Sequence, residues 1–581
     1  MAWNDAYMSK EFRPLVSIVI PVYNGSNYMC EAIDSALAQT YENIEILVIN
    51  DGSKDNTEDI AKSYGDKIRY FAKENGGVST ALNMGIANMR GDYFSWLSHD
   101  DMYKPNKIEK NVAALKNDPM CIVYSDYECM DERQGYIGLV SAKQIHRAGN
   151  YEFGLFPLIC GLVHGCSLLI HRTYFETYGM FDENQRSTQD YNLWFKMFRG
   201  QRLKYIPEAL VKGRVHSEQT GQNFDKTIME NEILWTNMLN SLTSEEMRAI
   251  KGSKRHFWIN QTQFMKIETP FAKSAEYASE RLKESTDELR GGLVSIITPF
   301  YNRIDLLHRS IKCVQRQSYQ NWELILVNDG STEDISEVER YIAQDNRIKL
   351  ISYERNMGVA HARNAGLDVV TGVFIAFLDS DDTWESQKLE KQLTYMLENH
   401  YCASHTAYYR VDAQGELLQK VDLPELQGDV FGRCLHACNI ATPCVIVDCE
   451  HWGNLRFPQN IDYGEDVCVW LELAWIGKWG YYPEALTSVY VSGTSAYSDK
   501  RKQQVGYAEI LRYVLKNPEW AAFQNEIGII AQDFANMFPE PKRGGLSKPL
   551  LWGNLPLRLF RAIKRHGVLG VCRLLWRRVM R

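Results

Sequence analysis

VSIVIPVYN at residues 16–24 returns as VSIITPFYN at residues 294–302, 278 positions later. Each copy is an unbroken run of β-branched and apolar residues that stops at proline, an aromatic residue and asparagine. That is the pattern of a strand buried on both faces and running into a loop. Working outward, QTYENIEILVINDGS recurs as QSYQNWELILVNDGS, with Asp51 matched to Asp329 at the same offset. ENGGVSTALNMG (74–85) matches RNMGVAHARNAG (355–366), and WLSHDD (96–101) matches FLDSDD (377–382), both 281 apart. TQDYNLW (188–194) matches GEDVCVW (464–470), 276 apart. Five ordered blocks at a nearly constant offset are a tandem duplication of a unit of about 230 to 280 residues, not a short-repeat solenoid.

Within a unit the pattern alternates. Residues 15–20, 45–50 and 93–97 read as strands, and residues 28–39 and 78–89 carry the longer period of helices. Alternation of this kind predicts an α/β fold with a mainly parallel sheet and helices on both faces. PVYN, NDGS and SHDD each follow a strand directly, so all three fall on the sheet edge where such folds bind ligands. Four segments follow: a first domain over 14–216, a helical extension and connector over 217–292, a second domain with its own helical extension over 293–540, and a tail over 541–581.

The 581 residues carry a formal charge of −8, are 45% hydrophobic and 24% charged, and so exclude a disordered, collagen-like or coiled-coil chain. The average hides an asymmetry. Residues 541–581 hold 11 Lys and Arg and no acid, which leaves 54 basic and 73 acidic residues before them. The acidic body argues against a nucleic-acid partner. Thirteen cysteines without a CxxC or zinc spacing, and an N-terminus (MAWNDAYMSKEF) without an apolar core, predict reduced thiols in a cytosolic setting. The longest apolar stretch, 155–170, is interrupted by Pro157, two glycines and His164 and is too short to span a bilayer.

Three motifs carry chemistry. LDSDD (378–382) crowds three carboxylates at a strand end, which suits a hard divalent ion shared with phosphate oxygens; an Asp-rich turn capping the next helix is the bland alternative. In the first unit Ser98 takes the first of those positions. NDGS alone is a common turn, and Asp190 and Asp466, just before aromatic-rich helices, alone read as caps. Their combination occurs in order, twice.

That combination resembles the family 2 glycosyltransferases, whose nucleotide-sugar-binding fold is called GT-A, over about 16–216 and 294–494. The resemblance implies two tandem GT-A (Rossmann-like) domains. It assigns nucleotide-sugar binding to Pro21, Tyr23, Asp51 and Asn75, and to Pro299, Tyr301, Asp329, Asn356 and Arg363. It assigns a metal, Mn²⁺ or Mg²⁺, to Asp100, Asp101 and His216 in one unit and to Asp379 and Asp381 in the other, and a catalytic base to Asp190 and Asp466. Two departures stand out: Leu82 replaces Arg363 in the first unit, and Ser492 replaces His216 in the second.

The function implied is a bifunctional, metal-dependent, inverting glycosyltransferase. Its donors are nucleotide-diphospho-sugars, UDP-sugars foremost, and its acceptor is a saccharide or lipid-linked chain of a bacterial surface polysaccharide (capsule or O-antigen). The alternatives are one active unit beside an acceptor-binding or structural module, and a carbohydrate-binding scaffold without catalysis. The tail, LPLRLFRAIKRHGVLGVCRLLWRRVMR, interleaves arginines with apolar residues and Trp576, the pattern of a basic amphipathic helix on an anionic membrane surface; a basic helix packed on the acidic body is the alternative. It predicts a cytoplasmic protein peripheral to the inner face of the cell membrane.

Overall fold

β1 (Val16–Val22) is buried along its whole length, as its uninterrupted apolar sequence requires. The computed structural model containing it describes residues 12–146, 149–216, 224–436, 438–461, 463–491, 500–517 and 519–520. After β1 come β2 (Ile44–Asn50), β3 (Arg69–Ala72), β4 (Tyr93–Trp96), β5 (Met102–Tyr103), β6 (Ile122–Met130), β7 (Tyr136–Val140), β8 (Ile170–His171) and β9 (Leu203–Arg214). The main sheet runs β3-β2-β1-β4-β8, parallel except for β8, which pairs antiparallel with β4. A smaller sheet, β5-β9-β6-β7, stands beyond it. The helix Val78–Asn88 lies so close to β1 that a Cβ at Gly85 would sit 2.3 Å from Val19 Cγ1. Only glycine permits that approach.

The second unit repeats the plan with β10 (Val294–Phe300), β11 (Trp322–Asn328), β12 (Ile348–Ser352), β13 (Phe374–Phe377), β14 (Thr383–Trp384), β15 (Ala403–Val411), β16 (Leu417–Val421), β17 (Ile446–Asp448) and β18 (Trp479–Tyr490). Here β17 pairs with β15, which joins the two sheets into one of nine strands. The first unit makes that junction with a single bridge, Val123 to Leu169. Gly366 repeats the glycine contact, its absent Cβ 2.6 Å from Ile297 Cγ2.

The two compact units divide between Glu284 and Ser285. Residues read as extension and connector form the helices Phe224–Ser241, Ser244–Lys251, Lys254–Ile267 and Ala272–Asp287. These are not a spacer: Trp235, Leu239, Phe257, Trp258 and Ala278 belong to the first unit's core. The second unit gains the helix Lys500–Lys516, with Val514 and Trp520 in its core. The basic tail lies outside the described residues. Among the described residues, no helix is long and apolar enough to cross a membrane.

Each unit also buries a lysine that the aligned segments NKIEK and QKLEK carry at one position. Lys107 donates to Ser95 Oγ at 2.5 Å and to the Leu168 carbonyl at 3.1 Å. Lys388 lies over the Trp384 ring at 3.9 Å, and its Nζ has no hydrogen-bond partner among the described residues. Burial lowers both ammonium groups to about 7.

Candidate active site

The loops after β1 and β2 are tied together in the same way in both units. Asn24 and Asn302 take left-handed conformations (φ 47° and 55°), which asparagine tolerates. Their side-chain oxygens accept the Lys54 N–H at 2.9 Å and the Thr332 N–H at 2.8 Å, while their own N–H groups donate to Ser53 and Ser331. Beside each tie Tyr23 and Tyr301 stand nearly half exposed, and Pro21 and Pro299 are buried in the strand ends.

Asp51 and Asp329 lie below this surface, both buried. Asp51 accepts the Gly76 and Gly77 N–H groups at 3.0 and 2.7 Å; Asp329 accepts those of Met357 and Gly358, both at 2.8 Å. The neighbouring Asn75 and Asn356 are exposed. One difference separates the copies: Lys73 Nζ pairs with Asp51 at 2.6 Å, whereas Tyr353 holds the equivalent place, its N–H bonded to the Asn328 carbonyl as that of Lys73 is to Asn50.

At the end of β4, Asp100 Oδ2 meets His216 Nε2 at 3.0 Å. Asp101 is turned into the protein. Its Oδ1 accepts the Arg214 N–H at 2.9 Å, and its Oδ2 lies 3.2 Å from Cys166 Sγ and 3.7 Å from His164 Nε2. Burial, then the neighbouring Asp100, raises Asp101 to about 7. Arg214 itself pairs with Glu31 and stacks on Tyr28.

The second unit is wired differently. Arg363 is buried and forks between Asp379 Oδ1 at 2.8 Å and Glu465 Oε1 at 2.7 Å. The first unit has Leu82, Ser98 and Gln189 at these three places, so all three charges are absent together. Asp381 is 3.4 Å from Arg303 Nη1. Asp382 repeats the role of Asp101, accepting the Tyr490 N–H at 2.9 Å. Burial and then Asp379 raise Asp381; burial and then the other two aspartates hold Asp382 well above the usual carboxylate range. Burial and then Asp466 bring Glu465 to about 7, with Arg363 opposing. Ser492 lies outside the described residues.

Asp190 and Asp466 sit in the first turns of the helices Gln189–Phe198 and Glu465–Ile476. Burial raises Asp190, a shift opposed by the Tyr191 N–H, by its own N–H and by His164. Asp466 Oδ2 accepts the Thr442 hydroxyl at 2.8 Å, a bond for which the first unit, with Gly165, has no hydroxyl. The segment before each helix is held by an asparagine from the glycine-bearing helix: Asn83 bonds Phe181 N and O, and Asn364 bonds Phe457 N and O. In the first unit Glu230 adds bonds to the Ser187 and Thr188 N–H groups. Sequence reasoning missed these asparagines, Glu230, Thr442, His164, Cys166 and Lys73. Aligning the two copies column by column exposes all but Glu230.

The donors fit a hard divalent ion: Asp100 with His216 presents oxygen and imidazole at contact distance, and Asp379 with Asp381 presents two crowded carboxylates. Asp101 is the exception, since its carboxylate is engaged by Arg214 N–H and faces a thiol.

The family model "Glycosyl transferase family 2" matches residues 17–179 and again 295–447. A Rickettsia felis protein named as a glycosyltransferase is 43% identical over 515 residues, covering 88% of this chain and 85% of its own. A Bacillus subtilis protein named for teichuronic acid biosynthesis, TuaG, is 35% identical over 239 residues, 40% of this chain and 94% of that one. The solved structure of Staphylococcus aureus TarS 1–349 with UDP is 13% identical at a TM-score of 0.33, covering 47% of this chain and 91% of that one.

Proposed function

The chain belongs to glycosyltransferase family 2, and from that premise we propose that both units are catalytic. The protein is then a bifunctional, inverting, metal-dependent enzyme that moves sugars from nucleotide-diphospho-sugars, UDP-sugars foremost, to a growing bacterial surface polysaccharide. The observation that carries this reading is that both halves keep a carboxylate at the head of the same helix, Asp190 and Asp466. The kinship with TuaG, named for teichuronic acid biosynthesis, supports a cell-surface polymer as product.

In this reading each aspartate takes the proton of an acceptor hydroxyl as that oxygen attacks the anomeric carbon opposite the diphosphate. One displacement inverts the anomeric centre. A raised proton affinity suits Asp190 to that work. Asp100 with His216, and Asp379 with Asp381, would hold Mn²⁺ or Mg²⁺, which supplies neutralising charge to the leaving diphosphate. The exposed Tyr23 and Tyr301 would face the nucleotide base above the Asp51 and Asp329 turns, with Asn75 and Asn356 at the rim. The second unit alone carries the charged set Arg363, Asp379 and Glu465, which supports different donors for the two sites. The basic tail would hold the enzyme on the anionic inner face of the cell membrane, beside a lipid-linked acceptor.

The test is a nucleotide-sugar panel with Asp190→Asn and Asp466→Asn assayed separately. Loss of a different sugar in each variant supports two active units. If only one substitution matters, the two-enzyme reading fails and one unit serves as acceptor-binding or structural module. If neither matters, the assigned bases are wrong.

A further inference from the structure

We propose that the first unit carries a second metal site, made of Asp101, His164 and Cys166, which takes a thiophilic ion of the Zn²⁺ class. It is distinct from the hard-ion pair Asp100 and His216, and it stands whether or not the unit transfers sugar. His164 and Cys166 flank Gly165 in the short 3₁₀ turn before β8, and Asp101 follows β4 on the neighbouring strand. One oxygen, one nitrogen and one sulfur ligand atom from these residues lie within 4.8 Å of one another.

The spacing fits a single ion. Tetrahedral zinc with ordinary bond lengths sets its oxygen and sulfur ligands ~3.5 Å apart and its oxygen and nitrogen ligands ~3.3 Å apart. The corresponding separations from Asp101 Oδ2 are 3.2 Å to Cys166 Sγ and 3.7 Å to His164 Nε2. Both separations from the carboxylate lie within a few tenths of an ångström of those values, and a fourth position is left over.

The surroundings orient the ligands. The Arg214 N–H holds Asp101 Oδ1, so Oδ2 is the oxygen presented. The Ser98 N–H points at Cys166 Sγ at 3.3 Å, a contact that favours a thiolate. Tyr127 packs on the His164 ring at 4.8 Å, and Gly213 leaves room beside Nε2, where a Cβ would lie 3.1 Å away. Supports of this kind are what keep metal ligands in place.

The duplication supplies an internal contrast. The second unit keeps the carboxylate, Asp382, held by a strand N–H as Asp101 is, but has Ala441 and Pro443 where the first has His164 and Cys166. The aspartate therefore belongs to the fold. The imidazole and the thiol are additions of the first unit, and together with a carboxylate they form a mixed set that selects zinc over magnesium. On binding, the thiol proton leaves to solvent and the sulfur joins as thiolate. The imidazole proton moves from Nε2 to Nδ1, at the loss of the long 3.3 Å contact that Nδ1 accepts from the Cys166 N–H.

The experiment uses the full chain, stripped with chelator and titrated with Co²⁺ as a spectroscopic substitute for Zn²⁺. The expected result is a thiolate-to-cobalt band in the near ultraviolet, erased by Zn²⁺ and unaffected by excess Mg²⁺. Cys166→Ala should abolish the band and weaken binding at this site roughly 100-fold, and His164→Ala should weaken it comparably. Circular dichroism checks each fold; where one variant misfolds, the other decides. A wild-type chain without the band, variants that retain it, or displacement of cobalt by Mg²⁺ would each overturn the site.

Discussion

Arg363 and Asp379 are joined by an ion pair of 2.8 Å, and in the first unit both partners are gone together, replaced by Leu82 and Ser98. The third member follows the same rule, Glu465 becoming Gln189. A buried arginine flanked by two carboxylates is stable as a set and poorly tolerant of losing one member, because the remaining charges keep their desolvation cost without the attraction that offset it.

Arg363→Leu should therefore destabilise the second unit by about 3 kcal/mol or more. The triple change Arg363→Leu, Asp379→Ser, Glu465→Gln, which copies the first unit's neutral set, should recover most of that loss. Thermal unfolding reads the difference; a triple variant as unstable as the single one refutes the coupling.

The buried lysines predict a dependence on pH. With Lys107 and Lys388 lowered from 10.5 to about 7, the unfolded chain holds a proton in that window that the folded chain has released. Stability should accordingly rise from about pH 7 towards 10.5. Lys388→Met should raise the unfolding temperature most at or below pH 7, with a gain that shrinks as pH rises. Lys107→Met should gain less, because it gives up two hydrogen bonds.

Thr442 orients Asp466 through one hydroxyl bond. Thr442→Val, which keeps the shape, should lower kcat for the Asp466-dependent transfer about tenfold with KM little changed, and Thr442→Ser should restore it. Equal losses in Val and Ser would mark the residue as packing alone.

His216 belongs to one unit only. His216→Ala should raise the Mn²⁺ concentration needed for Asp190-dependent transfer by roughly tenfold and leave the Asp466-dependent requirement unchanged. A shift in both would mean that the imidazole acts on something other than a metal.

Removal of residues 541–581 should move the protein from anionic vesicles to the supernatant. Unchanged sedimentation with the vesicles sinks the membrane role of the tail.

The strands were legible because each central one is buried on both faces and so reads as an unbroken apolar run, repeated twice. The strand-end aspartates were legible for the same reason. What escaped is long-range wiring. Arg363 and Glu465 are 102 residues apart, and no local period or spacing joins them. Glu230 acts from the helix Phe224–Ser241, in the segment read as extension and connector, 43 residues along the chain from Ser187. Asp101 and Asp51 read as ligands for something outside the protein, while Asp101 accepts the Arg214 amide at the end of β9 and Asp51 accepts the Gly76 and Gly77 amides. A carboxylate in a loop motif gives no indication of which way it will turn.

The inward turn of Asp51 and Asp329 has one more effect. Each carboxylate fastens the start of the helix Val78–Asn88, or of its counterpart Val359–Leu367, to the loop after β2 or β11; under the proposed function this is a shelf set before a nucleotide arrives, with Tyr23 or Tyr301 beside it. Backbone ordering that does not have to happen on binding leaves more of the contact energy for affinity. A shelf common to both halves would not, on that proposal, tell one donor from another. Discrimination would then come from what is built differently upon it, beginning with an ammonium group at Lys73 and a phenol at Tyr353.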